Sequence, residues 1–147
     1  MDRVKNENLK PYVDYIVEQA KALLAIDSPS GYGKDVSAYL LKEVDRLGFR
    51  GWKTRKGSVM ADLGGKAKED AVLLEAHCDT LGAMVHEIKS NGHLKLTNIG
   101  GMQANNAETE NVRIITKSGK IYEGTCQLTN PSVHVNGDYK TTPRTWD

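Results

Sequence analysis

The reading of the chain turns on Ala71-Val-Leu-Leu-Glu-Ala-His77-Cys-Asp79-Thr-Leu-Gly82. The apolar run at residues 71–74 reads as a buried strand, with β-branched Val72 and bulky Leu73 and Leu74. It leads straight into His77, Cys78 and Asp79. Strand side chains alternate faces with a period of two, so His77 and Asp79 project to one side and Cys78 to the other. An imidazole and a carboxylate on one face at a strand end, just ahead of a glycine, form the start of a metal site: the imidazole binds the ion and the carboxylate orients it from behind. The same tripeptide also occurs as a hydrogen-bonded couple with no metal, so its context decides.

Outward from that stretch, the N-terminal side reads as helix, helix, two strands. Val13, Ile16, Val17, Ala20, Leu23 and Leu24 recur at helical spacing and make one apolar face of a helix starting near Leu9, with Pro11 tolerated in its first turn. Ser28-Pro29-Ser30-Gly31 breaks it. A second helix runs from about Lys34 to Leu47 on Val36, Tyr39, Leu40, Val44 and Leu47, with Gly48 placed to close it. Tyr32 and Tyr39 form a conceivable stacking pair for a ligand, but Tyr39 at helical spacing reads as packing. Residues 49–62 read as strand, turn, strand, the turn at Lys56-Gly57-Ser58. Gly64-Gly65-Lys66 lacks phosphate-loop spacing and reads as a turn. Helices followed by a buried strand suit an α/β layered sheet.

Beyond Gly82 helical periodicity stops and glycine turns arrive at short intervals. Residues 83–89 and 93–99 read as strands around Ser90-Asn91-Gly92. A three-residue loop pairs Ile88 with Leu94 and His86 with Leu96, putting Met84, His86, Ile88, Leu94 and Leu96 on one face. Around Lys117-Ser118-Gly119 the same loop pairs Ile115 with Ile121, Ile114 with Tyr122 and Arg113 with Glu123, joining apolar partners and opposed charges. Val133-His-Val-Asn-Gly137 reads as the start of another strand. Residues 83–147 thus resemble a small β domain or half-barrel, with a boundary near Gly82.

Composition narrows the function classes. The 147 residues suffice for one domain or parts of two. Twenty basic and 19 acidic side chains leave a formal charge of +1, and no basic run gives an electrostatic case for nucleic acid or an anionic membrane. No apolar run approaches the roughly 20 residues that span a bilayer. The charged start, Met1-Asp-Arg-Val-Lys-Asn-Glu7, is not a secretory signal. Two cysteines, Cys78 and Cys126, are too few for a disulfide framework, so a reduced, cytoplasmic protein is the expectation.

The stretch Glu75-Ala-His77-Cys-Asp79-Thr-Leu-Gly82-Ala-Met-Val85, followed by Asn91-Gly-His-Leu-Lys-Leu-Thr-Asn-Ile-Gly-Gly101, resembles the M42 family of metal-dependent aminopeptidases. These are also described as glutamyl or deblocking aminopeptidases, and some were labelled endoglucanases. Asp27-Ser-Pro-Ser-Gly31 and the segment from Gly57 to Gly65 extend the resemblance over nearly the whole chain. It implies a layered α/β/α metallopeptidase sheet, its N-terminal part in residues 1–82, with an inserted small β-barrel-like domain begun but incomplete in residues 83–147. It implies removal of N-terminal residues from peptides by a water activated between two divalent ions, zinc or cobalt. His77 would ligate one ion, and Asp79 would be the supporting catalytic carboxylate. Peptides with a free N-terminus would be the substrates, and the full-length form would be a homo-oligomer.

The family's bridging aspartate, its general-base glutamate with a neighbouring glutamate ligand, and its last aspartate and histidine ligands lie after the inserted domain. The chain reaches only Thr145-Trp146-Asp147. A catalytic metal site takes three protein ligands, so the expectation is an N-terminal portion without activity by itself, poorly stable or prone to associate through open sheet edges. Other candidates carry less. Glu75 shares the face of His77 and reads as a supporting strand residue, Cys78 as a small buried hydrophobe, and His86 as a packed histidine. His93 and His134 lack carboxylates at motif spacing. Thr80-Leu81 departs from the acidic-apolar pair common in the family and keeps an M20-type peptidase or deacylase as a rival. A non-enzymatic β-rich interaction fragment is the second rival.

Overall fold

The computed structural model describes residues 8–67 and 69–147; the N-terminal heptad lies outside them. The chain divides into two compact units, Met1–Leu81 and Gly82–Asp147.

In the first unit, helix α1 spans Lys10–Leu24 and α2 spans Lys34–Arg46. Pro11 sits in the first turn of α1, where no intrahelical N–H is needed. Gly48 ends α2 at φ +84°, in the left-handed region that closes helices. The apolar face of α1 is not its packed face. Val13, Ile16, Val17 and Leu24 are exposed. Hydroxyl groups tie α1 to α2 instead: Tyr15 donates to Glu43 Oε1 at 2.7 Å and Tyr39 to Gln19 Oε1 at 2.7 Å. Tyr39 is therefore half-buried by a polar bond across helices, and Tyr32 is exposed.

Strands β1 (Gly51–Lys53) and β2 (Val59–Ala61) form an antiparallel hairpin against α2. Its loop is Arg55-Lys56-Gly57, one residue earlier than expected, closed by Thr54 N–H to Ser58 C=O at 2.9 Å. Contact with α2 is close: a Cβ on Gly51 would stand 3.0 Å from Val44 and 3.2 Å from Leu41. Buried Ser37 adds a polar link, its hydroxyl 2.6 Å from both the Gly33 and Gly57 carbonyls. Val36, 3% exposed, is the buried apolar residue of this unit among those described.

The expected strand at residues 71–74 does not form. Residues 71–79 have no regular structure, and Val72, Leu73 and Leu74 are 85%, 71% and 82% exposed. A strand exists only against a neighbour that takes its N–H and C=O groups, and among the described residues none flanks this run. The layered sheet is correspondingly reduced to the β1–β2 hairpin with α2. Order returns at Thr80, which makes an isolated parallel bridge to Pro29.

The second unit holds two hairpins, β3 (Gly82–Ile88) with β4 (Leu94–Ile99) and β5 (Asn111–Ile115) with β6 (Ile121–Thr125). β5–β6 has the expected register throughout, including Arg113 opposite Glu123 and Ile115 opposite Ile121. β3–β4 keeps Ile88 opposite Leu94 but brings Val85, not His86, opposite Leu96. A bulge between Val85 and Glu87 sets His86 off the ladder, and its side chain is exposed rather than packed. The hairpins are separate two-stranded sheets, so among the described residues the expected incomplete β-barrel-like domain appears as two hairpins with no closed barrel. A barrel needs every strand paired on both edges, and the chain after β6 supplies turns: residues 133–135 form a turn where a strand was expected.

Side chains hold that last segment. Arg144 Nε donates to Glu108 Oε2 at 2.7 Å and Nη2 to Glu108 Oε1 at 3.2 Å, while Nη1 reaches the Tyr139 and Thr142 carbonyls. The guanidinium also lies over the Tyr139 ring, 4.8 Å from its centre. Leu96 N–H donates to the Trp146 carbonyl at 2.7 Å, and the Asp147 carboxylate sits between Lys89 and Lys95.

Candidate functional site

The site is built on two short segments of the first unit that hydrogen bonds bring side by side. The first leaves α1 and turns: Tyr32 N–H donates to the Pro29 carbonyl at 2.7 Å, with Gly31 at φ +90°. L side chains are strained there, so glycine makes the turn possible. The second is residues 78–80. Ser28 joins them, its N–H donating to Thr80 Oγ1 at 3.1 Å and its hydroxyl to the Cys78 carbonyl at 2.9 Å. Thr80 N–H returns a bond to the Ser28 carbonyl at 3.1 Å. Ser28 is 1% exposed, and its buried polar groups are met by these bonds.

Beside this pairing the two predicted site residues meet each other. His77 Nδ1 lies 2.9 Å from Asp79 Oδ1, and the Ser30 hydroxyl donates to Asp79 Oδ2 at 2.8 Å. The Ser30 bond first, and the His77 contact next, hold the Asp79 carboxyl below the usual carboxylate range. An ionised carboxylate only accepts, so the ring proton of this contact is on Nδ1, and in the neutral ring that leaves the lone pair on Nε2. The His77 side chain is 87% exposed and that of Asp79 48%, so Nε2 is open to a ligand.

The other candidates do not join them. Glu75 is exposed, Cys78 is half-buried and takes part through its carbonyl, and His86, His93 and His134 lie exposed in the second unit. The hollow of about 500 Å³ lined by Arg50, Trp52, Asp62 and Gly64 includes none of the site residues. Sequence reasoning read Ser28 and Ser30 only as a helix-breaking turn and Thr80 only as a departure from the family pattern, and placed none of them at the site. The available signal was Ser-Pro-Ser-Gly31 after a helix, a turn rich in hydroxyl donors.

A histidine whose Nδ1 is backed by a carboxylate has the arrangement of a metal-ligating imidazole. Among the described residues no group of three or more His, Cys, Asp and Glu side chains could hold an ion, so these residues fit one arm of a metal site rather than a whole one. No helix among them is long and apolar enough to cross a membrane.

Comparison with known proteins bears on the site. The Bacillus subtilis protein YhfE is 40% identical over 122 residues, covering 83% of this chain and 35% of its own. The lysyl aminopeptidase of Pyrococcus furiosus is 32% identical over 104 residues, covering 66% of this chain and 28% of its own. The solved structure of PhTET1-12s, a dodecamer in the asymmetric unit, superposes with a TM-score of 0.68 at 23% identity, over 82% of this chain and 35% of that one, a likeness of fold. The chain spans about a third of the length of these relatives. The profile of the M42 glutamyl aminopeptidases matches residues 57–147, a span that includes His77 and Asp79, and the chain belongs to that family.

Proposed function

We propose that this chain supplies one metal-binding arm, His77 backed by Asp79, to an aminopeptidase that removes N-terminal residues from peptides. The observation that carries the reading is the His77–Asp79 contact in a chain of the M42 family. When bound, paired divalent ions, zinc or cobalt, supply an activated water and a polarised scissile carbonyl. His77 offers the Nε2 lone pair. Asp79 would hold the Nδ1 proton and offset the positive charge that builds on the ring as it donates. The reading assigns residues 1–82 to the catalytic domain and 83–147 to the start of the inserted domain. The remaining ligands and the general base are assigned to sequence beyond the inserted domain.

Free Cys78 and Cys126 support a reducing, cytoplasmic setting. The dodecameric PhTET1-12s supports assembly of the whole protein into a homo-oligomer. Thr80, the residue that kept an M20-type deacylase in view, is engaged locally, where its hydroxyl accepts the Ser28 N–H. What weighs against that rival is the match to the M42 profile over residues 57–147.

The test is metal analysis and peptide hydrolysis on a form extended to the length of the relatives. Stoichiometric zinc or cobalt, lost in His77→Ala, with cleavage of free-amine peptides and none of their N-acyl forms, is the expected result. Cleavage of N-acyl amino acids would transfer the protein to the deacylases. Absence of metal in the extended wild type would end the hydrolase reading.

A further inference from the structure

We propose that Ser30 is a positioning residue for His77, pinning one Asp79 oxygen so that the other holds the Nδ1 proton and the Nε2 lone pair stays available. The proposal rests on the metal-site reading above and adds to it the residue that prepares the ligand.

Three observations carry it. Asp79 sits on a segment with no strand ladder, and its side chain is half exposed, so packing does not fix its rotation and the hydrogen bonds to its carboxylate must. Its two oxygens are held by different residues, Oδ2 by Ser30 at 2.8 Å and Oδ1 by His77 at 2.9 Å. Two bonds on opposite oxygens set the carboxylate plane, and removing one frees the group to turn about its last side-chain bond. Ser30 is itself held, by the turn from Pro29 to Tyr32 on one side and the Pro29–Thr80 bridge on the other. The bond spans 49 residues and joins the loop after α1 to the site.

The chemistry at stake is the ring tautomer. A neutral imidazole protonated at Nε2 has no lone pair there and cannot ligate through that atom. Which nitrogen carries the proton is set by the partner of the other. By holding Asp79 in place, the Ser30 hydroxyl selects the Nδ1–H form before any ion arrives.

The test is nitrogen NMR of the 147-residue chain with labelled histidine, at alkaline pH, with neither metal nor peptide present. In wild type the His77 ring nitrogens should report Nδ1 protonated and Nε2 bare, unlike exposed His134. In Ser30→Ala both signals should shift toward the averaged values of His134, whereas Ser30→Thr, which keeps the hydroxyl, should hold the wild-type values. Should Ser30→Ala lose its amide dispersion, Ser30→Cys, nearly isosteric with a much weaker donor, makes the same comparison. The proposal is overturned if wild-type His77 matches His134, if the hydroxyl-deficient variant keeps the wild-type tautomer, or if Ser30→Thr shifts as far as Ser30→Ala. Because the readout needs no activity, a tautomer that responds as expected in a protein that never binds metal would sink the peptidase reading alone.

Discussion

Ser28 in the first unit and Arg144 in the second do the same job with opposite chemistry. Each fastens a stretch that lacks a strand ladder, residues 78–80 in one case and 139–147 in the other. Ser28 is neutral, 1% exposed, and works through its hydroxyl and its own backbone. Arg144 is charged and works through the Glu108 carboxylate and two carbonyls, with its side chain 18% exposed. A neutral fastening is indifferent to pH and salt, whereas an ion pair holds only while both partners are charged. The difference teaches that irregular chain can be ordered without a large core, and that the fastening chosen fixes the conditions under which it stays ordered.

Breaking the charged fastening should have the largest effect. Glu108→Ala strips Arg144 of its counter-ion and should abolish hydrogen-exchange protection across residues 139–147 while the first unit keeps its own. Acid should do the same more gradually. The Arg144 bond, first among its causes, holds the Glu108 carboxyl below its ordinary value. A carboxyl depressed in the folded state contributes stability above the unfolded pKa, and that contribution fades as pH falls toward the folded one. Protection at 139–147 should therefore weaken in that acidic window, ahead of protection at Thr80.

Ser28→Ala comes next. It removes the hydroxyl that the part-buried Cys78 carbonyl accepts from and should cost about 1.5 kcal/mol in urea unfolding of the first unit. Gly51→Ala leaves both fastenings intact and crowds Val44 and Leu41, so a smaller loss of about 1 kcal/mol is expected. Val72→Thr should fall within about 0.5 kcal/mol, since the side chain it changes is exposed. A large loss there would show that residues 71–74 are packed after all.

Local devices were legible in the sequence. The second and third hairpins use the expected three-residue loops ending in a left-handed glycine, Gly92 and Gly119, and the register of β5–β6 follows from its loop length and facing pairs, whereas the β1–β2 loop ends at Gly57, one residue earlier than expected. Helix ends were readable from Pro11 and Gly48 for the same local reasons. Long-range order was not. The run at 71–74 has the composition of a buried strand, but burial depends on neighbours that composition does not name. The bulge at His86 escaped because one extra residue leaves the hydrophobic pattern almost unchanged while re-aiming the side chain. At the site, His77 and Asp79 do meet, but not for the reason their spacing suggested, because the strand that was to set them on one face is absent. Ser30 was not legible, because it meets Asp79 across 49 residues and a lone serine in a turn carries no mark of its partner.

The uncovered triplet Val72-Leu73-Leu74 also bears on how copies of the chain behave toward one another. Apolar, β-prone and in full view, it is the kind of segment that seeds stacking. Asp70 and Glu75 bracket it. In-register stacking would superpose each carboxylate on its own copy at about 4.8 Å, and antiparallel pairing would set Asp70 beside Glu75, so both arrangements meet like charge. The acidic bracket thus sets like charge against either stacking, and replacing both residues with their amides would remove that repulsion.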